Sequence, residues 1–290
     1  MERRIGTLAI MDQTINQLLH QAAARFSGSA SPVLDAQVLL AGVLACQRSH
    51  LLAWPDKVVP GAKVQSFEAL VRRREDGEPV AYLTGTREFW SLELEVTPDT
   101  LVPRAETETL VARALALLPV DAPSRVAEPG TGSGAVASAI ASERPAARVV
   151  ATDISEPALA VARRNASTHG IDNVRFVSGD WLAPLAGERF DLIASNPPYV
   201  NAADPCLTQG DTAFEPPSAL AAGPDGLAAL RTLIAAAPRH LSDSGTLLLE
   251  HGSAQAAAVT ELMAKAGFAH IATHADLAGL PRCTEAHKLL

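Results

Sequence analysis

Apolar residues recur at helical spacing through the first part of the chain. Ile15, Leu18 and Leu19 fall on one face of a predicted helix, and similar stripes continue as far as Gly77. We therefore expect residues 1–80 to form a small, wholly helical bundle. Because this segment has no cluster of histidine, cysteine or paired acidic residues, two interpretations stay open: a substrate-recognition module, which we favour, or a stabilising appendage.

The pattern changes between residues 81 and 104. Polar and apolar positions alternate over residues 88–96, residues 97–99 (Thr-Pro-Asp) are typical of a turn, and residues 101–103 (Leu-Val-Pro) begin a second short run. These features predict a β-hairpin that links the helical bundle to the rest of the chain.

Short apolar runs alternate with helical patterns over residues 105–290. The predicted strands cover residues 126–127, 148–152, 174–177, 190–194, 245–250 and 268–273. This alternation predicts an α/β fold, with a Rossmann-like, doubly wound and mostly parallel sheet. The long irregular segment at residues 200–224 has a length that is usually associated with function or with a lid.

Composition and charge are those of an ordinary globular protein. The 290 residues are 48% hydrophobic and 19% charged, and the net charge of −8 argues against a broad basic surface for nucleic acid. The three cysteines are widely spaced without a Cys-x-x-Cys pair, which indicates neither a disulfide framework nor a zinc site. No apolar run reaches 18 residues. We expect a cytoplasmic monomer without a metal, a membrane segment or direct contact with nucleic acid.

A glycine-rich loop follows the first strand of the predicted sheet. It consists of Gly130, Thr131, Gly132, Ser133 and Gly134. Glycine allows a ligand to approach the backbone closely, and the helix predicted next offers free N–H groups at its start. With Ala135 the loop also satisfies the Gly-x-Gly-x-x-Gly/Ala dinucleotide pattern, so by itself it indicates a nucleotide-like cofactor without selecting one.

Acidic residues end the next two predicted strands. Asp153 lies about twenty residues after the glycine loop, where an acid can bind two ribose hydroxyls, as required for either NAD or S-adenosylmethionine. Asp180 and Trp181 follow the third strand. There an acid can accept a hydrogen from an adenine amino group and an indole can pack on the ring, although a core position explains Trp181 equally well.

The fourth predicted strand ends in the tetrapeptide Asn196-Pro197-Pro198-Tyr199. Two successive prolines cannot continue a central strand, so the chain turns outward at the carboxyl edge of the sheet, where α/β proteins bind ligands. The Asn196 side-chain oxygen and the Pro197 carbonyl oxygen suit the two hydrogens of a planar –NH₂ group. Tyr199 can stack on the flat group that carries it. A purely structural turn is the alternative for the tetrapeptide taken alone.

Taken together, these motifs resemble the Rossmann-like, S-adenosylmethionine-dependent methyltransferases that act on –NH₂ nitrogens. Flanking segments are similar, more closely, to the peptide chain release factor glutamine methyltransferases (the PrmC/HemK family). Those segments are residues 87–90 (Arg-Glu-Phe-Trp), 101–104 (Leu-Val-Pro-Arg), 106–108 (Glu-Thr-Glu), 210–211 (Gly-Asp), 214–216 (Phe-Glu-Pro) and 248–252 (Leu-Leu-Glu-His-Gly). The resemblance covers nearly the whole chain as far as Arg282.

This resemblance implies a class I methyltransferase fold and a specific reaction. A methyl group would pass from S-adenosyl-L-methionine to the side-chain amide nitrogen of the glutamine in the Gly-Gly-Gln motif of class I release factors, and so modulate translation termination. The glycine loop would wrap the methionine part of the cofactor, Asp153 would bind the ribose, and Asp180 and Trp181 would hold the adenine.

The resemblance also implies roles for the residues of the tetrapeptide. Asn196, Pro197 and Tyr199 would be catalytic, with Asn196 and the Pro197 carbonyl holding the glutamine –NH₂ and Tyr199 packing on the amide. Pro198 would complete the substrate site, and Asn196 would border the cofactor as well.

The chain departs from the family pattern at three places. Residues 128–129 are Glu-Pro where the family has Asp-Leu, which lengthens the acid and removes a strand donor. Ala105 replaces a usual proline. Residues 283–288 (Cys-Thr-Glu-Ala-His-Lys) are polar where the family has an apolar strand, so we expect the final edge strand to be short or absent.

Three other functions share parts of this pattern. A DNA N6-adenine methyltransferase would share the tetrapeptide, but the acidic charge and the lack of an evident basic target-recognition region argue against it. An NAD-dependent oxidoreductase would leave the tetrapeptide unexplained. A non-catalytic binding protein finds support only in the change at residues 128–129.

Overall fold

The computed structural model describes residues 13–289, which divide into two compact units, one ending at Thr84 and the other beginning at Gly85. Residues 1–12 of the predicted helical domain and Leu290 lie outside the described residues. Within the described part of the chain, no helix is long and apolar enough to cross a membrane.

The first unit is built mainly from helices around an apolar core. Its elements are β1 (Gln13–Thr14), α1 (Ile15–Arg25), α2 (Pro32–Leu44), α3 (Arg48–Ala53), β2 (Val58–Val59), α4 (Gly61–Glu75) and α5 (Val80–Thr84). Ile15, Leu39 and Phe67 are buried in the centre of this unit. The expectation of a wholly helical segment is wrong at β1 and β2, which pair antiparallel; strands of two residues are too short to leave a pattern of alternation.

A β-hairpin begins the second unit. Its strands are β3 (Thr86–Phe89) and β4 (Leu92–Glu95), with Phe89 opposite Leu92. Trp90 and Ser91 form the turn with φ angles of 50° and 59°, the left-handed conformation of a two-residue hairpin turn. The predicted turn at residues 97–99 exists, closed by a hydrogen bond from the Thr100 N–H to the Thr97 carbonyl oxygen, but it is not the turn of the hairpin, and residues 101–103 are not in a strand. The hairpin turn lacks the glycine or asparagine that usually signals one.

The remaining elements of the second unit alternate between strands and helices. The strands are β5 (Arg125–Pro129), β6 (Arg148–Asp153), β7 (Val174–Ser178), β8 (Phe190–Ser195), β9 (Leu241–Glu250), β10 (Phe268–Ala275) and β11 (Pro281–Lys288). The helices are α6 (Glu108–Leu117), α7 (Ala135–Glu143), α8 (Glu156–Thr168), α9 (Pro217–Leu220), α10 (Ala228–Ala236) and α11 (Ala256–Lys265). Short 3₁₀ turns, including Ala105–Thr107, lie between them.

The seven strands β5 to β11 form one twisted sheet in the order β10-β11-β9-β8-β5-β6-β7. Strands β5 to β9 run parallel, and β11 is antiparallel to both of its neighbours. Apolar residues of α6 and α7 pack in one core cluster with the sheet, and those of α10 and α11 pack in a second. The predicted doubly wound, mostly parallel sheet is confirmed, and the carboxyl ends of β5 to β8 meet at one edge.

The expectation that the last strand is short or absent is wrong. Strand β11 has eight residues and lies inside the sheet, between β9 and β10. Its polar side chains are satisfied: Thr284 Oγ1 lies 2.8 Å from His251 Nε2, and Arg113 Nη2 donates to Glu285 Oε1 at 2.8 Å. Partnered polar groups can be buried at small cost, which is why a polar sequence forms a strand with a neighbour on each side here.

Candidate functional site

A cavity of about 260 Å³ opens at the carboxyl edge of the parallel strands. Seven of its lining residues belong to the predicted motifs: Gly130, Gly132, Asp153, Asp180, Trp181, Asn196 and Pro198. The glycine loop, the acids after β6 and β7, and the tetrapeptide after β8 therefore meet at one place, although the sequence separates them widely.

The glycine loop joins β5 to α7 in a conformation that favours glycine. The φ angles of Gly130, Gly132 and Gly134 are 78°, 55° and 79°, in the left-handed region that side chains disfavour. A Cβ atom on Gly132 would meet no atom within 4 Å, whereas one on Gly130 would lie 2.9 Å from the Trp181 ring. The backbone at Gly132 thus borders open space in the cavity, where a ligand could approach it.

Substitution of Gly134 tests how tightly the glycine loop packs against α8. A Cβ atom there would lie 2.9 Å from Ala162 Cβ and 3.1 Å from Ala162 Cα on α8. We expect Gly134→Ala to lower the free energy of unfolding by roughly 2–4 kcal/mol, from the left-handed backbone and the overpacking together. Gly132→Ala is the matched control, with a loss of about 1–2 kcal/mol from the backbone alone. Urea unfolding of both variants measures the difference; equal losses would contradict the packing argument.

Asp153 ends β6 and ties the glycine loop to the start of α8. Its Oδ2 atom accepts a hydrogen bond from the Gly132 N–H, and its Oδ1 atom accepts one from the Ser155 N–H, both at 2.9 Å. Each carboxylate oxygen has a further lone pair, so Asp153 can shape the loop and still bind ligand hydroxyls. The sequence indicated only the second of these two roles.

Trp181 follows β7 in a left-handed conformation with φ of 49°. Its ring lies against Gly130, and its carbonyl oxygen accepts a hydrogen bond from Thr152 Oγ1 at 2.6 Å. The side chain is half-buried and lines the cavity beside Asp180. The position of Trp181 suits packing on a ligand ring. A contact of Asp180 and Trp181 with adenine stays a prediction, and the geometry is compatible with it.

Glu128 is a site residue whose role the sequence analysis missed. Its side chain is 2% exposed, and its Oε2 atom has no hydrogen-bond partner among residues 13–289. Burial raises the pKa of Glu128 to about 8. The residue lines a smaller cavity of about 50 Å³, which shares Gly130, Gly132 and Asn196 with the larger one. A buried acceptor without a partner suits a ligand with a cationic donor. The sequence signal for this role was an acid two residues before the glycine loop.

Two segments that contribute residues to the cavity lining are joined by a buried carboxylate. Arg104 Nη2 donates to Glu215 Oε2 at 2.6 Å, and the Val102 N–H donates to Glu215 Oε1 at 3.3 Å. The neighbouring residues Leu101 and Pro216 line the cavity. Within the described chain, this contact anchors the long segment after the tetrapeptide, which contains short 3₁₀ turns and α9.

The tetrapeptide places its residues in different surroundings. Asn196 and Pro198 line the cavity, while Pro197 is buried. The Asn196 Nδ2 atom donates a hydrogen bond to Thr107 Oγ1 at 3.1 Å. Because the nitrogen is engaged there, the Oδ1 atom of Asn196 remains as an acceptor for a ligand.

The Tyr199 side chain contacts Glu250, at the end of β9. Its hydroxyl donates to Glu250 Oε1 at 3.3 Å, and burial, helped by that carboxylate, raises the pKa of Tyr199. Tyr199 is not among the described residues that line the cavity. A contact between Tyr199 and the substrate amide therefore stays a prediction.

Glu250 is buried to 1% exposure, and burial raises its pKa to about 7 against the opposing effects of Thr107 and Arg282. The sequence analysis used Glu250 only as part of the family pattern and gave it no role. Thr107 and Glu250 thus hydrogen-bond the first and the last residue of the tetrapeptide, respectively.

Comparison with known proteins adds two family models and several relatives. A model described as the PrmC N-terminal domain matches residues 17–85, and one described as a methyltransferase domain matches residues 121–284. A release factor glutamine methyltransferase of Xylella fastidiosa (strain Temecula1) is 54% identical over 251 residues, which cover 87% of this chain and 91% of the relative. The enzyme of that name from Escherichia coli (strain K12) is 43% identical over 266 residues, with 92% and 96% covered.

A solved structure gives the same fold. The structure described as a methyltransferase from Pyrococcus furiosus superimposes with a TM-score of 0.51 at 20% identity, covering 77% of this chain and 98% of that chain. With the methyltransferase domain model, this likeness confirms the predicted class I methyltransferase fold.

Proposed function

The chain belongs to the release factor glutamine methyltransferase family, and from that premise we propose that it methylates the side-chain amide nitrogen of the glutamine in the Gly-Gly-Gln motif of class I release factors. It is an S-adenosylmethionine-dependent methyltransferase. The observation that carries the proposed acceptor is the position of Asn196, which lines the same cavity as the glycine loop. Such a reaction would modulate translation termination.

The residues around the cavity fit S-adenosyl-L-methionine, which supplies a methyl group already activated on a sulfonium. The open space beside Gly132 allows the glycine-loop backbone, from Gly130 to Gly134, to lie against the methionine part. The orphaned Oε2 atom of Glu128 would accept from its ammonium group, and that cation would favour the ionised carboxylate. Asp153 would bind the ribose hydroxyls, with Asp180 and Trp181 at the adenine.

Asn196 and Pro197 would hold the acceptor nitrogen. An amide nitrogen is a poor nucleophile because its lone pair is delocalised, and positive charge develops on it as it attacks. The Asn196 Oδ1 atom and the Pro197 carbonyl oxygen would accept its two hydrogens and stabilise that charge without a strong base. Since the methyl group is already activated, orientation would supply most of the acceleration, roughly 7–11 kcal/mol at best.

The DNA N6-adenine methyltransferase alternative finds no support in the comparisons, whose reported relatives are named for release factors. Recognition of the release factor by the helical domain of residues 1–80 stays a prediction. So do a monomeric state, a cytoplasmic location and the absence of direct contact with nucleic acid.

Methyl transfer to parallel acceptors tests the proposal. Labelled S-adenosylmethionine is offered with purified class I release factors, with the same factors carrying a replacement of the Gly-Gly-Gln glutamine, and with duplex DNA. We expect label only on the intact release factors. Label on the glutamine-replaced factors would show a different acceptor residue, and label on DNA would contradict the proposal outright.

A further inference from the structure

The side-chain amide of Gln255 joins three separate stretches of backbone. Gln255 is half-buried and ends the 3₁₀ turn Ser253–Gln255, directly before α11. Its Oε1 atom accepts a hydrogen bond from the Gly252 N–H at 2.9 Å. Its Nε2 atom donates to the Tyr199 carbonyl oxygen at 3.0 Å and to the Gly226 carbonyl oxygen at 3.3 Å. Both hydrogens of the amide are therefore used.

The chemistry of its partners fixes the orientation of the Gln255 amide. A backbone N–H can only donate a hydrogen bond, and a backbone carbonyl oxygen can only accept one. With the amide reversed, its oxygen would face the two carbonyl oxygens and its nitrogen would face the Gly252 N–H, leaving all three backbone groups unpaired. A helix cap needs only the Oε1 atom, so capping does not account for the two bonds of the Nε2 atom.

The segments joined by Gln255 approach each other too closely for a side chain at Gly226. Gly226 is buried and has a φ angle of 71°. A Cβ atom there would collide with the Tyr199 carbonyl oxygen and would lie 2.8 Å from Gln255 Nε2. Glycine therefore allows the approach that lets one amide bind both carbonyl oxygens.

These bonds hold the carboxyl end of the tetrapeptide. Tyr199 is bound through its carbonyl oxygen by Gln255 and through its hydroxyl by Glu250. Proline has a fixed φ angle, so the backbone between Pro197 and Tyr199 has little freedom to absorb a displacement. A shift of Tyr199 would therefore be passed through Pro198 to the Pro197 carbonyl oxygen.

We propose that Gln255 is a positioning residue for methyl transfer, which sets the place of the Pro197 carbonyl oxygen by holding the Tyr199 carbonyl oxygen. Gln255 is not among the described residues that line the cavity, so it acts through Tyr199. This role rests on the proposed function, since it affects catalysis only if the tetrapeptide holds the acceptor –NH₂ group.

The variants Gln255→Glu and Gln255→Met separate positioning from capping. Glutamate keeps the acceptor for the Gly252 N–H and loses both donors, whereas methionine keeps the length and loses all three bonds. We expect both variants to lower kcat about 10- to 100-fold, the scale for a misplaced reacting group. Cofactor affinity by calorimetry and the KM for the release factor should change little. Assays at about pH 8 keep the introduced glutamate ionised.

Two outcomes with the Gln255 variants would overturn the proposal. One is a wild-type kcat in both folded variants. The other is a loss of kcat in Gln255→Met alone, because the cap and not the Nε2 atom would then account for the effect.

Gly226→Ala and Gly223→Ala form a second pair, which tests the same contact if the Gln255 variants do not fold. The two glycines have φ angles of 71° and 75°, so their backbone strain is matched. Among the described residues, a Cβ atom on Gly223 would meet only Ala228 Cβ within 4 Å, at 3.4 Å, whereas one on Gly226 would push Tyr199 away from Gln255. We expect kcat to fall by about 10-fold or more in Gly226→Ala alone. Equal kcat values for the two variants would overturn the proposal.

Fluorine NMR tests the contact without substrate. The chain has two tyrosines, Tyr82 and Tyr199, so incorporation of fluorotyrosine gives two signals, which Tyr82→Phe assigns. We expect the Tyr199 signal to shift in Gly226→Ala and to keep its position in Gly223→Ala. An unshifted signal in both variants would overturn the inference. A shift in Gly226→Ala alone, with a wild-type enzyme that does not methylate release factors, would confirm the contact and count against the proposed function alone.

Discussion

Asn196→Ala is expected to remove nearly all methyl transfer to release factors while the protein stays folded. The alanine variant loses the Oδ1 acceptor that lines the cavity, so one donor of the substrate –NH₂ group is left unpaired during binding and reaction. An unpaired buried donor costs about 1–3 kcal/mol. The loss is larger where the contact strengthens as charge develops, and removal of one such group typically lowers kcat by about 10²–10³-fold.

Single-turnover transfer of labelled methyl groups measures this effect separately from binding. Cofactor affinity by calorimetry should change little, because the glycine loop and Asp153 are untouched. The Tm should fall by no more than about 2–4 °C, the change for roughly 1 kcal/mol in a unit of this size. Asn16→Ala, on the exposed face of α1, is the control for an unrelated asparagine. Full activity of a folded Asn196→Ala protein would show that the assigned role is wrong.

The parallel part of the fold was predictable because its strands are continuous apolar runs that end in acids, glycines or prolines. Periodicity and strand-end residues report local preferences, and at β5, β6 and β8 these agree with the sheet. Sequence periodicity did not predict the elements whose structure depends on tertiary contacts. Strand β11 is polar because Thr284 and Glu285 have partners elsewhere in the chain, and such partners leave no periodic pattern.

The candidate site, too, has residues that could be predicted from the sequence and residues that could not. Gly132, Asp153 and Asn196 could be placed together because parallel strands bring their carboxyl ends to one edge. Thr107 could not, since it lies 89 residues before Asn196 and precedes a helix. It contacts the site through a single hydroxyl, which accepts a hydrogen bond from Asn196. A side chain that acts through another group has no spacing rule from which a sequence could predict it.

Asp153→Ala is expected to abolish practical cofactor binding, for two reasons that the structure separates. The variant loses the proposed ligand of the ribose hydroxyls, and it also leaves the Gly132 and Ser155 N–H groups without their 2.9 Å acceptor. Hydrogen bonds to a charged group contribute about 1.5–3 kcal/mol each. The loss of two to the ligand would weaken cofactor affinity by at least about 100-fold, while loss of the loop bonds would lower the Tm as well.

Asp153→Asn distinguishes the two contributions, because an amide oxygen can still accept from one loop N–H group but cannot satisfy both. We expect its Tm to lie between those of the wild type and Asp153→Ala, with cofactor affinity, measured by calorimetry, reduced nearly as far as in the alanine variant. Asp172→Ala, at an exposed position after α8, serves as the charge-matched control and should bind the cofactor normally. Unchanged cofactor affinity in Asp153→Ala would contradict the proposal that Asp153 binds the ribose hydroxyls. Reduced affinity with an unchanged Tm would mean that Asp153 binds the ligand but that its bonds to Gly132 and Ser155 do not stabilise the loop.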